Sequence, residues 1–459
     1  MKAGMTALLS SALLSACTLG PDYTPPADPV STHYDRDAER NPAIALGARA
    51  GGDWWSEFHS PKLDLAMHRA IDGNFDLKIA DARIAQASEA VRAAGGQLYP
   101  QVDFGAGFGR ARTNVPPPAT ANFYGVGPVI SFDLDIFGGT KRLIERQDAL
   151  AEAERHRFDA AYLTVTGEVA SQALLQASAL AQIEAVRILV ADDERNLELL
   201  RQAHRQGSVA QPEVALAESQ LAQDQTLLPP LAQQRDAARH ALSVLTGQGP
   251  ADGAMPDFDL ADFTPPATVP VSLPSELAHD RPDILEAEAE LHAASAAVGM
   301  ATADLYPHLT LSGSFTQAGA TPFQAGTTLW SAAAALTGPI FHGGALEAER
   351  QAAIDGYKAS FALYQRTVIR SLSQVADLLQ AINHDAEELA AQERALNAAE
   401  LSLRLNRQGY RAGETGIFQV LDAERAFQRA LFGQIRAKTA RALDAVQLSV
   451  ALGGGMAGQ

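Results

Sequence analysis

The sequence predicts an α+β fold built twice over. Three observations carry that expectation: an internal repeat in one register, an alternating segment in each half that reads as a β-hairpin, and helical stretches far longer than globular proteins use. The repeat sets the frame. "NFDLKIADARIAQASEAVRAAGGQLYPQVDFGAGFG", from Asn74, matches "RPDILEAEAELHAASAAVGMATADLYPHLTLSGSF", from Arg281. Asp76 falls on Asp283, Ala82 on Ala289 and Tyr99-Pro100 on Tyr306-Pro307, all at one offset. Nearly the same spacing returns at Gly138-Gly139 and Gly343-Gly344, at Arg205-Gln206-Gly207 and Arg407-Gln408-Gly409, and at Leu242-Ser243-Val244 and Leu448-Ser449-Val450. Ordered matches of this kind are explained by a duplication with two small deletions.

Taken in order, residues 1–16 read as a cleavable secretory signal, with Lys2, an apolar run from Ala7 to Leu14, and Leu14-Ser15-Ala16 ahead of Cys17. The run is too short to span a bilayer, and no later segment reaches the ~18 consecutive apolar residues of a membrane helix. Cys17 is the only cysteine, so an internal disulfide is excluded. After cleavage its thiol lies at the new N-terminus, where it can carry a lipid, and Leu-Ser-Ala-Cys resembles a bacterial lipobox. In lipoproteins of that kind an Asp after the cysteine means retention at the inner membrane; Thr18 stands here and points outward. Residues 17–60 are then a lipidated tether.

The first repeat covers 61–246. A helix of alanines and charged residues runs to Leu98-Tyr99-Pro100, where the proline stops it. In "VDFGAGFGR", Val102, Phe104, Ala106 and Phe108 share one face and Asp103, Gly105, Gly107 and Gly109 the other, which is strand periodicity. Val115 to Gly127 makes the return, and Ile130, Phe132, Leu134 and Ile136 alternate again, giving a hairpin at about 101–136. Strands of ~10 residues suit a tilted membrane strand, although a soluble hairpin alternates in the same way. From Thr140 to about Gln206 there is no proline and one glycine, with Phe158, Tyr162, Val165 and Val169 at steps of four, three and four. At ~1.5 Å per residue such a stretch makes a rod of about 100 Å. A turn at "RQGSVAQPE" leads into a helix from about Pro212 to Leu245. A Pro-, Gly- and Asp-rich linker covers 247–281. The second repeat, 282–452, has its hairpin at about 308–338, with the weaker strand from Trp330 to Leu336. Its long helix runs from Leu346 to Arg407, and its return runs to Val450. Residues 453–459 form a tail.

Four strands cannot close into a membrane barrel and open edges are not tolerated in lipid, so other copies of the chain have to complete the sheet. Eight strands are near the minimum for closure, and twelve from three chains leave a wide lumen. Composition excludes other classes. A net charge of −18 argues against nucleic acid as a partner. The eleven histidines show no His-Glu-x-x-His and no metal-ligand spacing on one helix face. Gly139-Thr140-Lys141 lacks the first glycine of a phosphate loop, because Leu134 stands there, and no Gly-x-Ser-x-Gly elbow occurs. The reading is therefore of a protein that is not an enzyme and holds no cofactor beyond the lipid on Cys17.

"GDWWSEFHSPKLDLAMHRAIDGNFDLKIADARIAQA", "LPSELAHDRPDILEAEAEL", both Leu-Tyr-Pro strand starts and "FGGTKRLIERQDALAEAE" resemble the outer membrane factor family of tripartite efflux pumps, most closely its lipidated nodulation-type branch. The likeness runs from Cys17 to about Gly453. It implies a homotrimer with a twelve-stranded outer membrane β-barrel, four strands per chain, continued by a periplasmic barrel of coiled helices. Its implied partners are a periplasmic adaptor, an inner membrane pump of the RND type and outer membrane lipid. The implied function is a passive duct for drugs or other small toxic compounds. A type I protein secretion duct and a periplasmic coiled-coil lipoprotein without a pore are the alternatives. Leu421-Asp422-Ala423-Glu424-Arg425 is similar to the family segment that narrows the periplasmic end, which transfers Asp422 and Arg425 as candidate gate residues. Three Asp422 carboxylates around one axis would repel one another and attract cations. Without the family, the same residues read as an exposed i,i+3 pair. In the first half Ala217 and Glu218 stand near the matching place, so the two tips are expected to differ.

Overall fold

The structure, a computed structural model, describes residues 18–27, 29, 31–48, 51–113, 119–252, 255–264, 266, 268–320 and 326–454. The signal at 1–16, Cys17 and residues 455–459 of the tail lie outside the described residues. In chain order the elements are β1 (Ile44–Leu46), α1 (Pro61–Gly73), α2 (Phe75–Gly96), β2 (Gln101–Thr113), β3 (Ala119–Leu134), α3 (Gly139–Arg205), α4 (Gln211–Gln225) and α5 (Leu228–Leu245). There follow β4 (Val269–Val271), α6 (Pro274–Asp280), α7 (Pro282–Ala303), β5 (His308–Gly319), β6 (Thr327–Thr337), α8 (Ala345–Ala412) and α9 (Ile417–Ala451). The described residues fall into two compact units, one drawn from 18–27, 81–157 and 285–367, the other from 29–80, 158–284 and 368–454.

The first unit holds a four-stranded antiparallel sheet in the order β2-β3-β5-β6. Its register sorts most side chains by polarity, although Phe123, Val129 and Leu329 fall on the otherwise polar face. Phe104 lies opposite Pro128, Phe108 opposite Tyr124, Phe132 opposite Leu311 and Phe315 opposite Trp330, all on one apolar face. The other face carries Asp103, Gly105, Gly107, Ser131, Asp133, Thr310, Ser312 and Ser331. There Ser314 and Ser331 are 2.9 Å apart, and the Thr310 hydroxyl donates to Asp133. Phe104 is 74% exposed and Trp330 77%, so the apolar face is bare within one chain, an arrangement suited to lipid. Edges β2 and β6 have no partner strand among the described residues.

The strands run longer than expected. β3 begins at Ala119 and continues through Gly125, Gly127 and Pro128, residues that read in the sequence as part of the return. Pro128 is tolerated because the β3–β5 ladder is interrupted there: Val126 pairs with Gln317 and Val129 with Ser314, but nothing between is paired. β6 likewise begins at Thr327, so Thr327 and Thr328 of the expected second return are strand. Beyond β3, the Asp135 carboxylate accepts the Thr140 and Lys141 N–H groups at 3.0 and 2.9 Å and fixes the start of α3.

In the second unit the expected tether and linker turn out to be core. Trp54, Trp55 and Phe58 are fully buried against Leu63, Val169, Leu174 and Val446, and β1 pairs in parallel with β4, Ile44 opposite Val269 and Leu46 opposite Val271. The alternating Ile44 and Val269/Val271 side chains need an apolar cover, which Leu379 and Leu448 supply. The return of the first repeat is also not one helix. It breaks at 226–227, because Pro229 and Pro230 lack the N–H a helix interior needs and fit only the first turn of a new helix, α5. The second repeat has no such pair, and α9 runs unbroken for 35 residues. Contrary to expectation, α3 contains an 18-residue stretch apolar enough to cross a membrane by length and composition. Of that stretch 44% is buried, and α3 contributes Val165, Ala170, Ala173, Leu174 and Ala177 to the unit's core.

Candidate functional site

Within the second unit two helix hairpins reverse direction, α3 into α4 and α8 into α9. Both reversals pass through glycine in the left-handed region, Gly207 at φ +77° and Gly413 at φ +76°. Glu414 N–H closes the second turn on the Gly409 carbonyl at 2.8 Å. At the start of α9, Ile417, Val420 and Leu421 recur at helical spacing and pack on Leu197 and Leu200 of α3 and Val214 and Ala217 of α4. That stripe continues into Glu424, which is 3% exposed. Phe418, Asp422, Arg425 and Arg429, at i, i+4, i+7 and i+11, follow a neighbouring face.

Asp422 is exposed and makes no hydrogen bond or ion pair among the described residues. Arg425 is half-buried, and its Nε donates to Gln220 Oε1 of α4. The two sequence-derived gate residues therefore share an element but not a bond, and the simple i,i+3 ion pair is not formed. The first hairpin behaves differently: Ala217 is buried, and Glu218 is paired with Arg201 at 2.7 Å. A carboxylate at the first tip is tied within its own hairpin, whereas Asp422 has its charge free.

Behind Arg425 lies a polar cluster that the sequence alone does not reveal. Arg407 of α8 donates to Glu424 Oε1 at 2.9 Å and to Asp192 Oδ2 of α3 at 2.6 Å, and Asn196 donates to Glu424 at 3.3 Å. Burial opposes the Arg407 charge, but Glu424 and Asp192 hold it, and its pKa is raised. Gln220 Nε2 donates to Asp224 Oδ2 at 2.6 Å, linking Arg425 to Asp224 through one amide. Asp224 in turn faces Asp193 of α3. Asp193 is 3% exposed with no donor to its Oδ2, and burial, Asp224, Glu424 and Asp192 push it up to about 8. Kept protonated, Asp193 avoids leaving an unpaired charge in that buried place. The one signal available in sequence was Glu424 continuing the spacing of Ile417, Val420 and Leu421. Which helices bring Asp193, Asp224 and Arg407 to it has no local signature.

Cys17 lies outside the described residues, but its neighbours are fixed in the first unit. Leu19 N–H donates to the Phe137 carbonyl at 3.0 Å, just past the end of β3. Buried Arg142 donates to the Leu19 carbonyl at 3.0 Å and to Asp22 at 2.8 Å. Gly20, at φ +90°, lies so close to Gly299 that a Cβ would stand 2.4 Å from its Cα. The Tyr23 ring stacks on His292 at 4.3 Å. The chain next to Cys17 is thus strapped to the helix-joined end of the sheet.

A family model described as outer membrane efflux protein matches residues 66–248 and again 273–454. The chain is 30% identical to outer membrane protein OprJ of Pseudomonas aeruginosa, covering 98% of this chain and 96% of that one. It is 26% identical to nodulation protein T of Rhizobium leguminosarum bv. viciae, over 97% and 92% of the two chains. Its fold is similar to that of the outer-membrane channel OprN, with a TM-score of 0.88 and 27% identity over 96% of this chain and 99% of that one.

Proposed function

Because the chain belongs to the outer membrane efflux protein family, we propose that three copies form the outer membrane duct of a tripartite, RND-type efflux system for drugs or other small toxic compounds. The protein resides in the outer membrane and extends into the periplasm, as its relatives do. The observation that carries the trimeric-duct reading is the sheet itself. It has one apolar face, one polar and glycine-rich face and two open edges, so it is stable in lipid only when other copies close it around a polar lumen.

Twelve strands give such a lumen room for solutes. The periplasmic helices form the conduit toward an adaptor and an inner membrane pump, and the duct itself is passive. Cys17 carries a lipid in the inner leaflet, consistent with the strap that holds residues 19–23 at the helix-joined end of the sheet. Asp422 and Arg425 are the proposed gate: Asp422 is free to face its symmetry copies, and Arg425 is held back by Gln220. Purified protein should cross-link to trimers and give long-lived conductance steps in planar bilayers, and deleting its gene should raise sensitivity to small toxic compounds. A monomer without conductance would leave only a structural lipoprotein. Loss of a secreted protein with no change in sensitivity would favour a protein secretion duct.

A further inference from the structure

Along β2 the apolar face runs through Val102, Phe104, Ala106 and Phe108 and then changes to Arg110 and Arg112. Both arginines are exposed, and neither has a hydrogen bond or ion pair among the described residues. On the same face Gln317 and Thr328, by contrast, satisfy each other at 3.2 Å. The acids of the strands, Asp103 and Asp133, belong to the opposite face and lie at the helix-joined end.

The sequence has no Asp or Glu between Asp103 and Asp133, and none between Asp304 and Glu347. Both turns and the turn-side halves of all four strands are therefore free of carboxylates. A second copy of the chain brings the same sequence and no acid either. In a chain of net charge −18, two cations stand where no copy of the protein can neutralise them.

Their height follows from topology. All four strands join helices at one end, and those helices lead into the periplasm, so the turn end faces outside. Gln101 to Arg110 covers about 30 Å along the strand, which a tilt of ~40° reduces to about 23 Å of height, close to the ~25 Å apolar band, so Arg110 and Arg112 stand where hydrocarbon gives way to headgroups. Residues i and i+2 on one face lie about 7 Å apart, close enough for two guanidinium forks to grip one phosphate or two adjacent ones. Cations at a bilayer surface without protein counter-ions take them from anionic lipid. We propose that Arg110 and Arg112 form a binding site for the phosphate-bearing headgroup of an outer-leaflet lipid, one per chain. Asn122 opposite Arg110 and Thr120 opposite Arg112 add neutral donors beside it.

The test uses the full-length protein in detergent, titrated with bisphosphorylated lipid A, with its dephosphorylated form, and with inorganic phosphate, and read by native mass spectrometry. The phosphorylated lipid should bind roughly tenfold more tightly than the dephosphorylated one. Arg110→Gln with Arg112→Gln should abolish that preference, and the paired Lys variant should keep much of it. Single Gln variants, each checked for oligomer size, provide the same reading if the double variant does not fold. Equal affinity for the two lipids, an unchanged preference in the Gln variants, or inorganic phosphate displacing the lipid at equal concentration would each overturn the site.

Discussion

At Asp193 and Asp224 two buried carboxyl groups meet, and in the unfolded chain Asp193 ionises near 3.8. Because the folded pKa of Asp193 is raised to about 8, the folded state holds one more proton than the unfolded state between those values. Its stability therefore falls as pH rises through that window and levels off above about 8. Amide exchange in α3 and α4 around the pair, corrected for intrinsic rates, should quicken from pH 5 to 8, and Asp193→Asn should remove the pH-dependent part. An unchanged slope in that variant would mean that Asp193 holds no extra proton in the folded state. Arg407 and Arg425 separate by the same logic of burial. Arg407→Ala strands the buried Glu424 charge and should cost about 3 kcal/mol locally. Arg425→Ala gives up one contact at a half-exposed side chain and should cost under about 1 kcal/mol. Limited proteolysis at the hairpin tips should accelerate for the first and hardly change for the second.

The start of α9 is held by apolar contact rather than by the polar residues beside it, since Ile417, Val420 and Leu421 are the side chains buried against α3 and α4. Leu421→Ala should cost about 2 to 4 kcal/mol and speed cleavage around the turn at 413–416, with no change in the sheet. Such elements were legible in sequence where a local signal defined them. Leu-Tyr-Pro stops α2 and α7, alternation marks β2 and β5, and the Arg-Gln-Gly repeats announce both reversals. Elements defined by distant partners were not. β1 and β4 are three residues each and exist only because residues 44–46 meet 269–271. Pro128 reads as a breaker until the gap in its ladder is seen, and Pro229-Pro230 end one helix although the repeat promised continuity. The site divides the same way. A motif picks out Asp422 and Arg425, but Asp193, Asp224 and Arg407 look like ordinary surface charges until four helices bring them together.

In the proposed trimer, three copies around one axis would change what the exposed face of α9 can do. Within one chain Asp422 has no partner among the described residues, while Arg425 is drawn toward Gln220 and the buried acids behind it. Closing the periplasmic end would bring three Asp422 carboxylates near one another, at a cost that cations or a neighbour's Arg425 relieve. Each such exposed pair contributes only about 0 to 1 kcal/mol, yet three symmetric copies can bias a closed aperture by a few kcal/mol. In the proposed assembly an adaptor docked on the tips would supply that difference, and opening would be conditional on an attached pump. Replacing both Asp422 and Arg425 with Ala should raise single-channel conductance in planar bilayers without lowering trimer yield. It should also weaken block by divalent cations, since the carboxylates that attract them are gone. Because Glu424, Arg407 and the apolar stripe remain, the tip should stay folded in this variant, and amide exchange there should match the parent. Conductance and cation block unchanged in such a folded trimer would move the constriction to another residue of the same turn, Tyr410 or Phe418, whose rings are partly exposed beside it.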